Sequence, residues 1–121
     1  FNLGYRSTSE KRYGNGEYFL KINSEEEGLN YYFEDPTDAD SPYASPLYAD
    51  DLRNLPPACF ISAECDPLLD QALMYAAKLE DAGVSVEYHL YKGMVHAFIN
   101  RPLQKTFEAF NTIIKTMPKT E

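Results

Sequence analysis

Positive charge is scarce in this chain: 11 Lys and Arg stand against 19 Asp and Glu, a formal net charge of −8. Nucleic-acid binding calls for a basic stripe, so this balance argues against it and favours small neutral substrates over anionic ones. The acid is partly clustered, in Glu25-Glu26-Glu27 and from Glu34 to Asp51, which reads as a solvated face. Long apolar runs are missing as well, and none approaches the roughly 20 residues that span a bilayer. No basic, apolar and then small-residue leader is present, so nothing points to secretion. Cysteine is limited to Cys59 and Cys65. On one strand their Cα atoms would lie about 20 Å apart, far beyond the roughly 7 Å limit for a disulfide. They read as small apolar fillers in a reducing compartment, and the expectation is a cytoplasmic protein without a metal site. Finally, no serine stands in a G-x-S-x-G context.

The remaining composition, 44% hydrophobic and 25% charged, is that of an ordinary globular protein. A length of 121 residues amounts to one domain and buries a modest core. The front is irregular, with a short extended piece expected at Glu17 to Ile22. Ser24 followed by Glu27 forms a capping box and predicts a helix from about Glu25 to Phe33. Residues 35–57 hold five prolines and read as a long loop, broken by one helical turn at Ala49 to Asn54. A loop of that length inside a compact domain is often part of a binding site.

Beyond Pro56-Pro57 the pattern becomes periodic. Ala58 to Glu64 is a nearly unbroken apolar run, as for a strand of a parallel sheet buried on both faces. Pro67 to Ala82 is helical, with Leu69, Leu73, Ala76 and Leu79 on one face and Gly83 as the stop. Val84 to Tyr91 alternates, with Val84, Val86, Tyr88 and Leu90 opposite a wetter side, as for an edge strand. Pro102 to Met117 is a last helix with a stripe of Leu103, Phe107, Phe110, Ile114 and Met117. Strand, helix, strand, helix makes one βαβ unit plus a helix. Two parallel strands do not make a stable sheet, so the chain is expected to be a piece of a larger α/β fold.

Two residues stand where chemistry is done in such folds. Asp66 follows the first strand and His96 follows the second, and ligands of open α/β sheets bind at the carboxyl ends of strands. Two readings stand for Asp66: an ordinary N-cap ahead of Pro67, or a carboxylate that orients a histidine. A lone loop histidine such as His96 is more often a solvated residue than a catalyst, and what points to a base is its partnership with that carboxylate. His89 reads as an exposed strand residue, and Asp70 as an acid favoured by the positive end of the helix. Phe98 either lines an apolar pocket or packs in the core.

The stretch Ser45-Pro46-Leu47-Tyr48-Ala49-Asp50-Asp51-Leu52, then Leu55-Pro56-Pro57-Ala58, Glu64-Cys65-Asp66-Pro67-Leu68-Leu69-Asp70, Tyr75-Ala76-Ala77-Lys78-Leu79, Ala82-Gly83-Val84 and Gly93-Met94-Val95-His96-Ala97-Phe98 resembles the C-terminal third of an α/β-hydrolase carboxylesterase of the hormone-sensitive-lipase-like group. The resemblance runs from about Ser41 to Met117. It implies the C-terminal βαβα portion of a three-layer, mostly parallel sheet, incomplete in this chain, with 1–57 preceding the last strands and 58–121 forming the βαβα unit. It implies Asp66 as catalytic acid and His96 as catalytic base, with Ala97 in place of the family's usual glycine; Leu69 and Phe98 are the candidate substrate-binding residues. The family's serine elbow and oxyanion loop precede this region and are not in this sequence.

The expected parent is a serine esterase acting on short acyl esters, with no metal or organic cofactor, while these 121 residues alone are expected to be inactive. Rivals are a non-catalytic interaction module, one half of a split hydrolase, and a small doubly wound domain with a phospho-acceptor site at Asp66 and Asp70. The last would need Lys92 and an acidic pair that the chain does not supply. Pairing of two copies along 84–91 is the expected route to a homodimer.

Overall fold

A computed structural model describes residues 7–22 and 33–117. Helix α1 (Thr8–Tyr13) is followed by two 3-10 turns, Pro36–Asp40 and Pro46–Tyr48, then strand β1 (Ala58–Cys65) and helix α2 (Leu69–Asp81). Strand β2 (Val86–Val95), a 3-10 turn (Phe98–Asn100) and helix α3 (Gln104–Thr116) complete it. β1 and β2 pair in parallel, with α2 as the crossover. Gly83, at φ +82°, reverses the chain after α2 in a conformation that costs other residues a steric penalty.

The two helices cover opposite faces of the strand pair. Toward α2, Phe60, Ala58 and Val86 pack on Leu79, Val84 and Leu52. Toward α3, Ile61, Tyr91 and Met94 pack on Ala63, Phe98 and Ala109. The result is three layers, as expected of a strand pair from an α/β sheet. β1 is nevertheless less enclosed than its apolar run predicts: Ser62 and Ala63 are buried, but Cys59 is exposed. Both cysteines are free.

The periodic half matches its sequence pattern closely in element type and less well in detail. β2 runs to Val95, four residues past its predicted end at Tyr91. The stripe on α3 faces outward: Phe107 is 61% and Ile114 66% exposed, whereas Thr106 and Ala109 are buried. Small residues let α3 lie close against the Phe98 turn, and Thr106 Oγ1 donates to the Phe98 carbonyl at 2.9 Å. Leu73 of α2 and Leu90 of β2, placed on apolar faces by periodicity, are also exposed.

The front half departs further. The helix at Thr8–Tyr13 carries a capping box of its own, Ser7 with Glu10, where an irregular segment was expected. The extended piece at Glu17 to Ile22 is reduced to one bridge, Asn15 with Lys21. The predicted helix over 25–33 lies outside the described residues except for Phe33, which is not helical. No helical turn forms at Ala49 to Asn54; the turns sit at Pro36–Asp40 and Pro46–Tyr48, because proline suits the first position of a helix. The loop is held to α2 by Lys78, whose Nζ donates to the carbonyls of Leu47 (2.7 Å) and Ala49 (2.6 Å). Among the described residues no helix is long and apolar enough to cross a membrane.

Tyr88 is the polar exception in the α2-side core. Its ring stacks on Phe60, centroids 5.8 Å apart, and its buried hydroxyl makes no well-aligned hydrogen bond among the described residues. Burial pushes this phenol above its ordinary value; the neighbouring Ser62 hydroxyl opposes that, and the Asp66 and Asp70 carboxylates add to it. Below the unfolded value near 10 the phenol is neutral in both states and its titration leaves stability alone; past it the unfolded chain gives up the proton first, so stability falls as pH rises. Tyr88→Phe is expected to remove this alkaline loss. It should leave stability at pH 7 unchanged or higher by about 1 kcal/mol, since a buried hydroxyl without a partner is unfavourable. Urea unfolding at pH 7 and pH 10.5 checks both.

Candidate active site

The strand pair brings Asp66 and His96 together through its register. Ala58 to Ala63 pair in step with Val86 to Tyr91, but the next pair is Cys65 with Val95. Glu64 alone therefore faces Lys92, Gly93 and Met94, a bulge of two extra residues in β2. Had pairing stayed in step, Cys65 would meet Gly93, and His96 would overshoot Asp66 by two residues, about 6.6 Å of strand. With the bulge, both strands end at the same level and the next residue on each is Asp66 or His96. Gly93 makes the bulge with φ +73°, and its N–H donates to Glu64 Oε2 at 2.8 Å.

Asp66 Oδ2 lies 2.9 Å from His96 Nδ1. A carboxylate only accepts, so Nδ1 carries the proton and donates it, which leaves Nε2 as the basic nitrogen of the neutral ring. The carboxylate side chain is 15% exposed and the imidazole 34%, so the acid is sheltered while the ring keeps an open edge. Nε2 has no hydrogen bond among the described residues. Such a pair can take up a proton at Nε2 and stabilise the resulting imidazolium.

The two readings of Asp66 turn out not to compete. Its Oδ1 accepts from the Leu68 amide at 2.9 Å while Oδ2 holds the histidine. The N-cap position itself passes to Leu68, and α2 starts two residues later than a cap at Asp66 requires. After His96, Ala97 takes φ +57°, a left-handed conformation that glycine adopts without strain and alanine does not. The tight turn forms all the same, with Asn100 N donating to the Ala97 carbonyl at 3.0 Å.

The other residues singled out in the sequence take varied positions. Phe98 is 3% exposed, packed among Ala63, Ala109 and Tyr91, so its ring presents no open wall among the described residues. Leu69 is half-buried at the first position of α2. His89 lies on the strand with only a long contact to Glu87, 3.4 Å, and Lys92 is exposed in the bulge. Asp70 does more than face the helix end: its Oδ2 accepts from the Ser9 amide at 2.9 Å. Sequence reasoning passed over Ser9, and also the Glu64–Gly93 contact, for which glycine two residues after an alternating run was the available signal.

A family model for the alpha/beta hydrolase fold matches residues 2–100 of the chain. An arylesterase of Saccharolobus solfataricus is 44% identical over 101 residues, 83% of this chain and 33% of that protein. Hormone-sensitive lipase of Mus musculus is 36% identical over 62 residues, 50% of this chain and 8% of its own length. The solved structure of a hyperthermophilic esterase from the archaeon Pyrobaculum calidifontis superposes with a TM-score of 0.87 at 40% identity, covering 95% of this chain and 38% of that one. The chain thus spans about a third of the length of the arylesterase it matches.

Because a Cβ added at Gly93 would meet nothing within 4 Å, any cost of filling that position is conformational. Gly93→Ala is expected to destabilise the protein by about 1 kcal/mol through its positive φ alone. Denaturant unfolding checks this; an unchanged midpoint would mean that the bulge does not depend on the glycine.

Proposed function

Since the chain belongs to the α/β-hydrolase family, in its hormone-sensitive-lipase-like group, we propose that the whole protein is a serine carboxylesterase, with Asp66 and His96 as two members of its triad. The observation that carries this reading is the 2.9 Å bond from His96 Nδ1 to Asp66 Oδ2, with Nε2 left open. The nucleophilic serine and the oxyanion donors would come from residues outside these 121. Nε2 takes the serine hydroxyl proton as the serine oxygen bonds to the ester carbonyl carbon. It then returns that proton to the leaving alcohol as the acyl–oxygen bond breaks. Water, deprotonated by the same nitrogen, releases the acid and restores the serine. Asp66 holds the ring in one tautomer and stabilises its charged form throughout.

Short acyl esters of neutral alcohols are the proposed substrates. The acidic surface disfavours anionic ones, and the arylesterase relative is named for aryl esters. Leu69, beside the acid at the head of α2, would contact the substrate, whereas Phe98 would act by supporting the His96 turn from the core. Residues 1–57 would brace the unit formed by 58–121. The outward stripe on α3 and the free edge of β2 would be covered by the rest of the fold or, for β2, by a second copy in a homodimer. A cytoplasmic location suits two free cysteines. The 121 residues on their own would not turn over esters.

Asp66→Asn in the whole protein is expected to lower turnover of p-nitrophenyl acetate by about 10⁴-fold, as loss of the orienting acid does in serine proteases. His96→Ala should be at least as damaging. Near-normal turnover in either variant would rule the assignment out.

A further inference from the structure

Asp66 caps only the Leu68 amide, through Oδ1, because its second oxygen is held by His96. Leu68 is the N-cap and has no side-chain acceptor, so the amide of Asp70, two residues on, has no partner within its own helix. Ser9 supplies one from α1, 61 residues away in sequence. Its Oγ accepts from Asp70 N at 3.1 Å and donates to the Pro67 carbonyl at 2.7 Å. Its own N–H donates to Asp70 Oδ2 at 2.9 Å, the reciprocal half of the same arrangement. Ser9 is 4% exposed.

The surrounding hydroxyls leave little freedom in these roles. Ser7 Oγ already accepts from the Glu10 amide at 3.2 Å. It is 3.0 Å from Ser9 Oγ, where its proton meets the remaining lone pair of a hydroxyl that donates to Pro67. Glu10 Oε1 in turn accepts from Gln71 Nε2 at 2.6 Å. Every long-range bond of this network lands on Pro67, Asp70 or Gln71, in the turn immediately after Asp66.

We propose that Ser9 is a positioning residue for Asp66: by tying the Pro67 carbonyl and the Asp70 amide to α1, it fixes the turn that aims the carboxylate at His96. The inference rests on the catalytic reading above for its consequence in turnover, though not for its geometry. Without the Ser9 hydroxyl the Pro67 carbonyl and the Asp70 amide lose their tie to α1, and the turn that carries Asp66 can shift its carboxylate off the imidazole.

The test compares wild type, Ser9→Ala, Ser9→Thr, Asp70→Ala and Asp66→Asn in the whole protein, assayed on p-nitrophenyl acetate well below each Tm. The second readout is the downfield proton NMR resonance of the His96 ring N–H. Ser9→Ala is expected to lower kcat about ten- to hundredfold by misplacing the acid, with KM within about twofold, and to broaden or abolish the resonance. Ser9→Thr, which keeps the hydroxyl, should restore both. A folded Ser9→Ala protein with lowered Tm but wild-type kcat and an intact resonance would overturn the proposal, because Ser9 would then be structural only. Should Ser9→Ala not fold, Asp70→Ala, which removes the acceptor for the Ser9 amide, must show the same pattern in weaker form, and wild-type values there overturn the proposal equally. Near-normal turnover of Asp66→Asn would defeat the catalytic reading instead, and the resonance in the Ser9 variants would still report whether Ser9 holds the pair.

Discussion

Parallel pairing of β1 with β2, shifted by the two-residue bulge opposite Glu64, is the constraint on which the rest of this structure depends. It places the two strand ends at one level, and the carboxylate after one strand then reaches the imidazole after the other. Backbone hydrogen bonds hold the strands, but the shift is set locally, by a glycine at positive φ and by a glutamate that accepts its amide proton. An acid and a base 30 residues apart in sequence are brought within 2.9 Å by that arrangement.

Packing on both faces makes the register costly to change. Slipping β2 by one residue would turn Tyr88 away from Phe60 and Tyr91 away from Phe98, since side chains alternate along a strand. The turn after His96 is tied to α3 by Thr106 and packed on Ala109, and the turn after Asp66 is tied to α1 by Ser9. Each member of the pair thus sits on a short turn clamped from a different helix. Such clamping is how a site keeps a geometry that its own backbone does not enforce.

The outward face of α3 shows where apolar periodicity and burial part company. Apolar residues at helical spacing normally turn inward. Here Leu103, Phe107, Phe110, Ile114 and Met117 turn out, while Thr106 and Ala109 take the close contact. Both faces of α3 are therefore suited to packing, and periodicity reports the sum of them. The stripe at 103–117 was readable, but its direction was not, because the close contact is made by the small residues Thr106 and Ala109, which periodicity does not weight.

From the amino-acid sequence alone came the kinds of element in the periodic half, their order, the stop at Gly83, and the placing of Asp66 and His96 directly after successive strands. These follow from side-chain period, turn chemistry and motif order, all of them local properties. Only the tertiary structure decided that Asp66 serves helix and histidine together, that Phe98 is core, and that Ser9 reaches the turn beside the acid. Each of those depends on which distant groups meet. A serine in a polar front segment has the same local pattern whether it faces water or caps a helix 61 residues on. The capping need arises in α2 and is met from α1, so neither segment's sequence displays it by itself.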